Sequence, residues 1–231
     1  MNRSIFLPRR THRLALVLVP LLIGGCASPP AGRDAPAPQA AARAEPAVAA
    51  PQGDGRVLGA ADAPVNIIEF TDLQCPYCAR FARETWPRVR KEYVDTGKVR
   101  FATRDLPLRF HAFAVPAAVA TRCAGAQGKY WEYREALFNV QSQLGSEPYA
   151  RLASRLGLDE TRFAACRADP TTLQSVQDDA ALAAATGITG TPSFVIGRVV
   201  AGEFTGEVFS GAGSFEEFAA RIEAQLEIAQ Q

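Results

Sequence analysis

Read as a pattern of apolar and polar positions, this 231-residue chain sorts into two kinds of segment, one with strand-like runs and one with helical spacing. From Val65 to Thr71 the run Val-Asn-Ile-Ile-Glu-Phe-Thr is nearly unbroken and predicts a strand covered on both faces. Beyond Pro76 the apolar residues Phe81, Val89 and Tyr93 fall near one face of a helix, and Pro87, which has no N–H, is expected to kink or split it. Gly97 marks the end of that helix. Lys98–Thr103 then predicts a second strand, parallel to the first because a helix joins them. From His111 to Thr186 the spacing is helical throughout. Segments are expected at Ala114–Ala124, at Tyr130–Val140 with Trp131, Leu137 and Phe138 inward, at Tyr149–Leu156, at Glu160–Cys166 under an Asp159 cap, and from Asp169-Pro170 onward. An apolar strand follows Pro192, Glu203–Glu207 reads as an edge strand, and Ser214 caps a last helix with Phe215, Phe218, Ile222 and Leu226 on one face. The expected architecture is α/β, with an all-helical insertion over about 111–186 between a βαβ half and a ββα half.

The first 55 residues lack any such pattern and divide in two. Arg3, Arg9, Arg10 and Arg13 precede the apolar run Leu14–Ile23, which has the layout of a secretory leader and is short for a membrane span. Ile23-Gly24-Gly25-Cys26 is similar to a bacterial lipobox, so residues 1–25 are expected to be cut off and Cys26 to carry lipid. The alternative is an ordinary secreted protein cleaved nearby. Residues 26–55, rich in Ala and Pro, read as an extended tether. Residues 56–231 form the folded domain.

Removing the leader's four arginines leaves 21 basic residues against 24 acidic ones, a net charge of −3, which gives no footing for a nucleic-acid partner. Export places the chain where disulfides persist. Cys123 and Cys166 stand singly on two different predicted helices and are expected to form a structural disulfide, the alternative being two buried free thiols.

The chemistry converges on Cys75-Pro76-Tyr77-Cys78, delivered by the first strand to the start of a helix. Two intervening residues bring the sulfurs within bonding reach, so the pair can cycle between dithiol and disulfide. Pro76 suits the first helical position, and the free amides of that turn favour a thiolate at Cys75. Cys75 is the expected nucleophile, facing solvent, and Cys78 the resolving thiol behind it. The same spacing serves half of a zinc site, but Cys26, Cys123 and Cys166 are far apart and His12 lies in the leader, so no metal and no other cofactor is expected. Glu69, on the first strand, is either a buried acid able to serve Cys78 as a base or a residue facing solvent or a lysine. His111 reads as a structural hydrogen-bonding residue. Gly190-Thr191-Pro192 is a turn whose proline can be cis or trans.

In combination these motifs resemble the DsbA family of thiol:disulfide oxidoreductases. The resemblance runs from about Val57 to the C-terminus and rests on Pro64-Val65 and Phe70 before the Cys-x-x-Cys, Gln127-Gly128-Lys129-Tyr130-Trp131 in the helical insertion, and Gly190-Thr191-Pro192-Ser193-Phe194 before a strand. It implies a thioredoxin-like fold, catalytic Cys75 and Cys78, a potential tuned by Pro76 and Tyr77, and a cis Pro192 beside the sulfurs. Thr191 would offer its backbone to an extended substrate peptide. The strongest oxidants of the family carry histidine where this chain has Tyr77. The implied protein is a monomer in the periplasm, held by Cys26 to the outer membrane because Ala27 replaces the aspartate of inner-membrane retention. It would oxidise cysteine-containing exported polypeptides and be reset by a redox partner. A reductase or isomerase, or a thiol-based metallochaperone, are the other readings.

Overall fold

The computed structural model describes residues 53–230, so the leader, Cys26 and the tether up to residue 52 lie outside the described residues. Strands β1 (Val57–Leu58), β2 (Val65–Thr71), β3 (Val99–Asp105), β4 (Ser193–Val200) and β5 (Glu203–Ser210) form one sheet in the order β1-β3-β2-β4-β5. The β2–β3 pair is parallel and the other three are antiparallel. Every residue of β2 is buried. Period-two alternation sends Val65 and Ile67 into a core closed by the C-terminal helix α8 (Phe215–Ala229), while Ile68 and Phe70 enter a second core on the opposite face. Glu69 shares the face of Val65 and Ile67.

Between β2 and β3 the chain runs through α1 (Pro76–Arg80) and α2 (Trp86–Val89), with π-type turns at Phe81–Thr85 and Arg90–Val94. The helix is interrupted next to Pro87 as expected, a π-type turn separating α1 from α2, with Pro87 in the first turn of α2. The Trp86 N–H reaches back five residues to the Phe81 carbonyl, and the widened turn absorbs the missing proline donor. Gly97, at φ +80, ends the segment as expected of a residue without Cβ.

Two strands run past their sequence-based ends. β3 continues through Arg104 and Asp105 because these charges are matched in a buried cluster with Arg56, Arg122 and Asp179, while Phe70 and Thr71 hold the register. β5 reaches Ser210, which pairs with Ser193 of β4. Helices α3 (Ala114–Gly125), α4 (Tyr130–Asn139), α5 (Tyr149–Arg155), α6 (Glu160–Ala168) and α7 (Pro170–Ala185) form the insertion, with a 3-10 turn at Gln141–Ser146 that periodicity did not reveal. Asp159 and Asp169 cap α6 and α7, and Ser214 with Glu217 makes a capping box on α8. Cys123 of α3 and Cys166 of α6 are bonded, with their Cα atoms 5.7 Å apart.

Candidate active site

Cys75 occupies the N-cap of α1, in extended conformation, with Pro76 at the first helical position. Its backbone N–H donates to the Asp72 carbonyl at 3.0 Å, and the Cys75 thiol donates to the Thr191 carbonyl at 3.4 Å. Cys78 lies one turn inside and accepts the Asp72 N–H at 3.4 Å. Both thiols are free, and both are buried. Cys75 is 3% exposed, so the expectation that it faces solvent is corrected: the Thr191-Pro192 segment, joined by a cis peptide bond, covers it.

Burial and hydrogen bonding split the two thiols. Cys75 is lowered to about 5, first by the Cys78 thiol donating to its sulfur and then by the Thr191 side chain and the backbone N–H groups of Cys78 and Tyr77. Cys78 is pushed well above the ordinary thiol range, first by desolvation and then by the Cys75 sulfur and the charge of Glu69. Tyr77, between them, is 56% exposed, and the Arg80 guanidinium sits over its ring at 5.2 Å.

Three further residues position this turn, and none was singled out in the sequence. The Asp72 carboxylate accepts the Gln74 N–H at 2.7 Å and the Leu108 N–H at 2.8 Å, and meets His111 Nδ1 at 2.7 Å. It thereby ties the redox turn to a loop that exposes Phe110 and Phe113. The bond to Gln74 is an Asx turn, which Asp-x-Gln allowed a reader to suspect. Gln141 Nε2 donates to the carbonyls of Leu73 and Cys75, both at 3.0 Å. Arg134 Nη2 donates to both oxygens of Glu69 at 2.8 Å, within a pair 3% and 0% exposed. Glu69 therefore faces neither solvent nor a lysine. Desolvation raises its pKa, and Arg134 opposes the rise. The signal for Arg134 was a charge inside the apolar stripe Tyr130, Leu137, Phe138 of α4.

A thioredoxin family model matches residues 52–224. The chain belongs to the thioredoxin family. Among solved structures, alpha-DsbA1 of Wolbachia pipientis resembles it at a TM-score of 0.69 with 26% identity, covering 78% of this chain and 94% of that one. Oxidised BdbD of Bacillus subtilis gives 0.63 with 25% identity, covering 78% and 98%. The thioredoxin-like domain is that of a DsbA-type protein thiol:disulfide oxidoreductase. A curated relative, Na(+)/H(+) antiporter NhaA 3 of Salinispora tropica, is 36% identical over 158 residues, 68% of this chain and 24% of the antiporter. The chain thus spans about a quarter of that relative's length. Among the described residues no helix is long and apolar enough to cross a membrane.

Proposed function

We propose that this thioredoxin-family protein is exported to the periplasm, held to the outer membrane by lipid on Cys26, and oxidises cysteine pairs in exported polypeptides through a Cys75–Cys78 disulfide. The observation that carries the reading is the split between the thiols, with Cys75 near 5 and Cys78 raised. A substrate thiolate attacks the Cys75 sulfur and breaks the Cys75–Cys78 bond, and Cys78 leaves as a thiolate that takes up a proton. A second substrate thiolate then attacks the substrate sulfur of the mixed disulfide and expels Cys75 as a stabilised thiolate. The substrate gains a disulfide and the enzyme becomes a dithiol, to be reset by a redox partner.

Held by Arg134, Glu69 relays the proton that the departing Cys78 thiolate takes up, its charge favouring the protonated thiol. Thr191 receives the substrate backbone beside Cys75, and the loop bearing Phe110 and Phe113 offers apolar contact to the flanking residues of an unfolded client. Pro76 withholds an N–H from the turn, and Tyr77 stands at its exposed edge, so these two residues set how far the thiolate is stabilised.

At pH 7 a thiol titrating near 5 rather than near the roughly 7 of thioredoxin stabilises the dithiol by about 2.3 kcal/mol more. At about 30 mV per 1.4 kcal/mol the couple moves from about −270 mV to about −220 mV. Equilibration with glutathione measures this value. A couple at or below the thioredoxin value would favour a reductase over an oxidase. Cys75→Ser is expected to abolish exchange, and Cys78→Ser to accumulate a mixed disulfide through Cys75. Trapping through residue 78 in Cys75→Ser would reverse the assigned roles.

A further inference from the structure

We propose that the cavity between α4 and the bulged helix after Cys78 binds a small, neutral aromatic compound carrying a carbonyl oxygen. The cavity encloses about 790 Å³, within the range of small-molecule sites, and Trp86, Trp131, Phe138, Arg83, Arg90 and Arg134 are among its walls. Trp86 and Trp131 stack with centroids 5.3 Å apart, and the Arg134 guanidinium lies 5.5 Å from the Trp131 ring and 4.9 Å from that of Phe138. Trp131 is the partly exposed member of this aromatic group, so a flat ring entering the cavity meets its indole first. Arg83 and Arg90 sit on the two π-type turns, a device that recurs at functional sites.

Two donors define the polar half of the ligand. Among the described residues the Trp131 Nε1–H and the Arg134 Nε–H are buried and meet no acceptor, while Arg134 Nη2 is committed to Glu69 and the side chain is 3% exposed. Both N–H groups are buried atoms of residues in the cavity wall, so the two side chains must turn toward the cavity for a carbonyl oxygen to reach them. The surrounding charges determine that the oxygen is neutral. Arg90 pairs with Asp95 at 3.5 Å, Lys129 with Glu132 at 3.1 Å and Arg134 with Glu69 at 2.8 Å, leaving Arg83 and Glu135 of opposite sign in the wall. A carboxylate would add an unmatched charge near Glu69, whereas an amide or ketone accepts the same bonds without one. Nothing in the exchange reaction uses this cavity. Arg134 nevertheless joins it to Glu69, whose charge acts on Cys78.

Trp86 and Trp131 are the two tryptophans of the chain, so the indole N–H signals of the ¹⁵N-labelled full chain report directly on the site. Titration with benzamide is expected to move the Trp131 signal downfield to saturation, with benzoate at least tenfold weaker. Trp131→Phe, with Trp86 still reporting, and Arg134→Lys, which keeps a cation against Glu69, should each weaken benzamide about fivefold, the loss of one hydrogen bond. Absence of a saturable shift, including the case in which the chain's own tether fills the cavity, overturns the proposal. Equal binding of benzoate overturns the choice of a neutral ligand, and unchanged affinity in Trp131→Phe overturns the placement.

Discussion

Acidification should weaken the reduced protein in a way the oxidised protein does not share, because the Cys75 thiolate exists only in the dithiol. Its folded value of about 5 lies below the 9.0 of an ordinary thiol, so the group contributes stability in full above the ordinary value and loses it as pH falls through 5. At pH 7, two pH units above the folded value, the contribution is about 2.7 kcal/mol at 1.36 kcal/mol per unit, and at pH 4 it is nearly nil. Cys78 adds nothing in this window, since its raised value keeps it protonated in both states. For a domain of this size 1 kcal/mol moves the melting temperature by about 2–4 °C, so the reduced form should lose about 5–11 °C relative to the oxidised form between pH 7 and pH 4. Thermal melts of both redox forms measure the difference, and subtracting them cancels the carboxylates that titrate over the same range. Thiolate absorbance should show a midpoint near 5, rising toward the ordinary range in Cys78→Ala because the Cys78 thiol is the principal stabilising donor. A reduced-minus-oxidised difference that stays flat from pH 4 to 7, or a midpoint near the ordinary 9.0, refutes the reasoning.

Replacing Cys123 and Cys166 together by alanine opens a loop of sequence separation 43 and should cost about 4 kcal/mol by the loop-closure relation, read as a lower denaturation midpoint with exchange activity retained. Arg134→Met should destabilise by about 3–5 kcal/mol because Glu69 is left buried without its partner, and adding Glu69→Leu should restore part of the loss in a double-mutant cycle. Cys26→Ala should release the protein from the membrane fraction, and its continued sedimentation with membranes would count against the lipid anchor.

The sequence by itself determined what local spacing encodes. The unbroken run Val65–Thr71, the helix faces, the caps at Asp159, Asp169 and Ser214, and the Cys75-Pro76-Tyr77-Cys78 turn depend on neighbours a few residues apart, where propensity and hydrogen-bond geometry suffice. Tertiary packing decided the rest. Arg104 and Asp105 extend β3 because Arg56, Arg122 and Asp179 converge on them from distant segments, and no local rule foresees a charge matched that way. The thiolate at Cys75 draws on the side chain of Thr191, a residue distant in sequence, while the state of Glu69 depends on Arg134 across 65 positions. Desolvation is a property of everything packed around a group, so the burial of the cysteines depends on the helical insertion together with the Thr191-Pro192 segment, and the partner of Glu69 comes from the insertion.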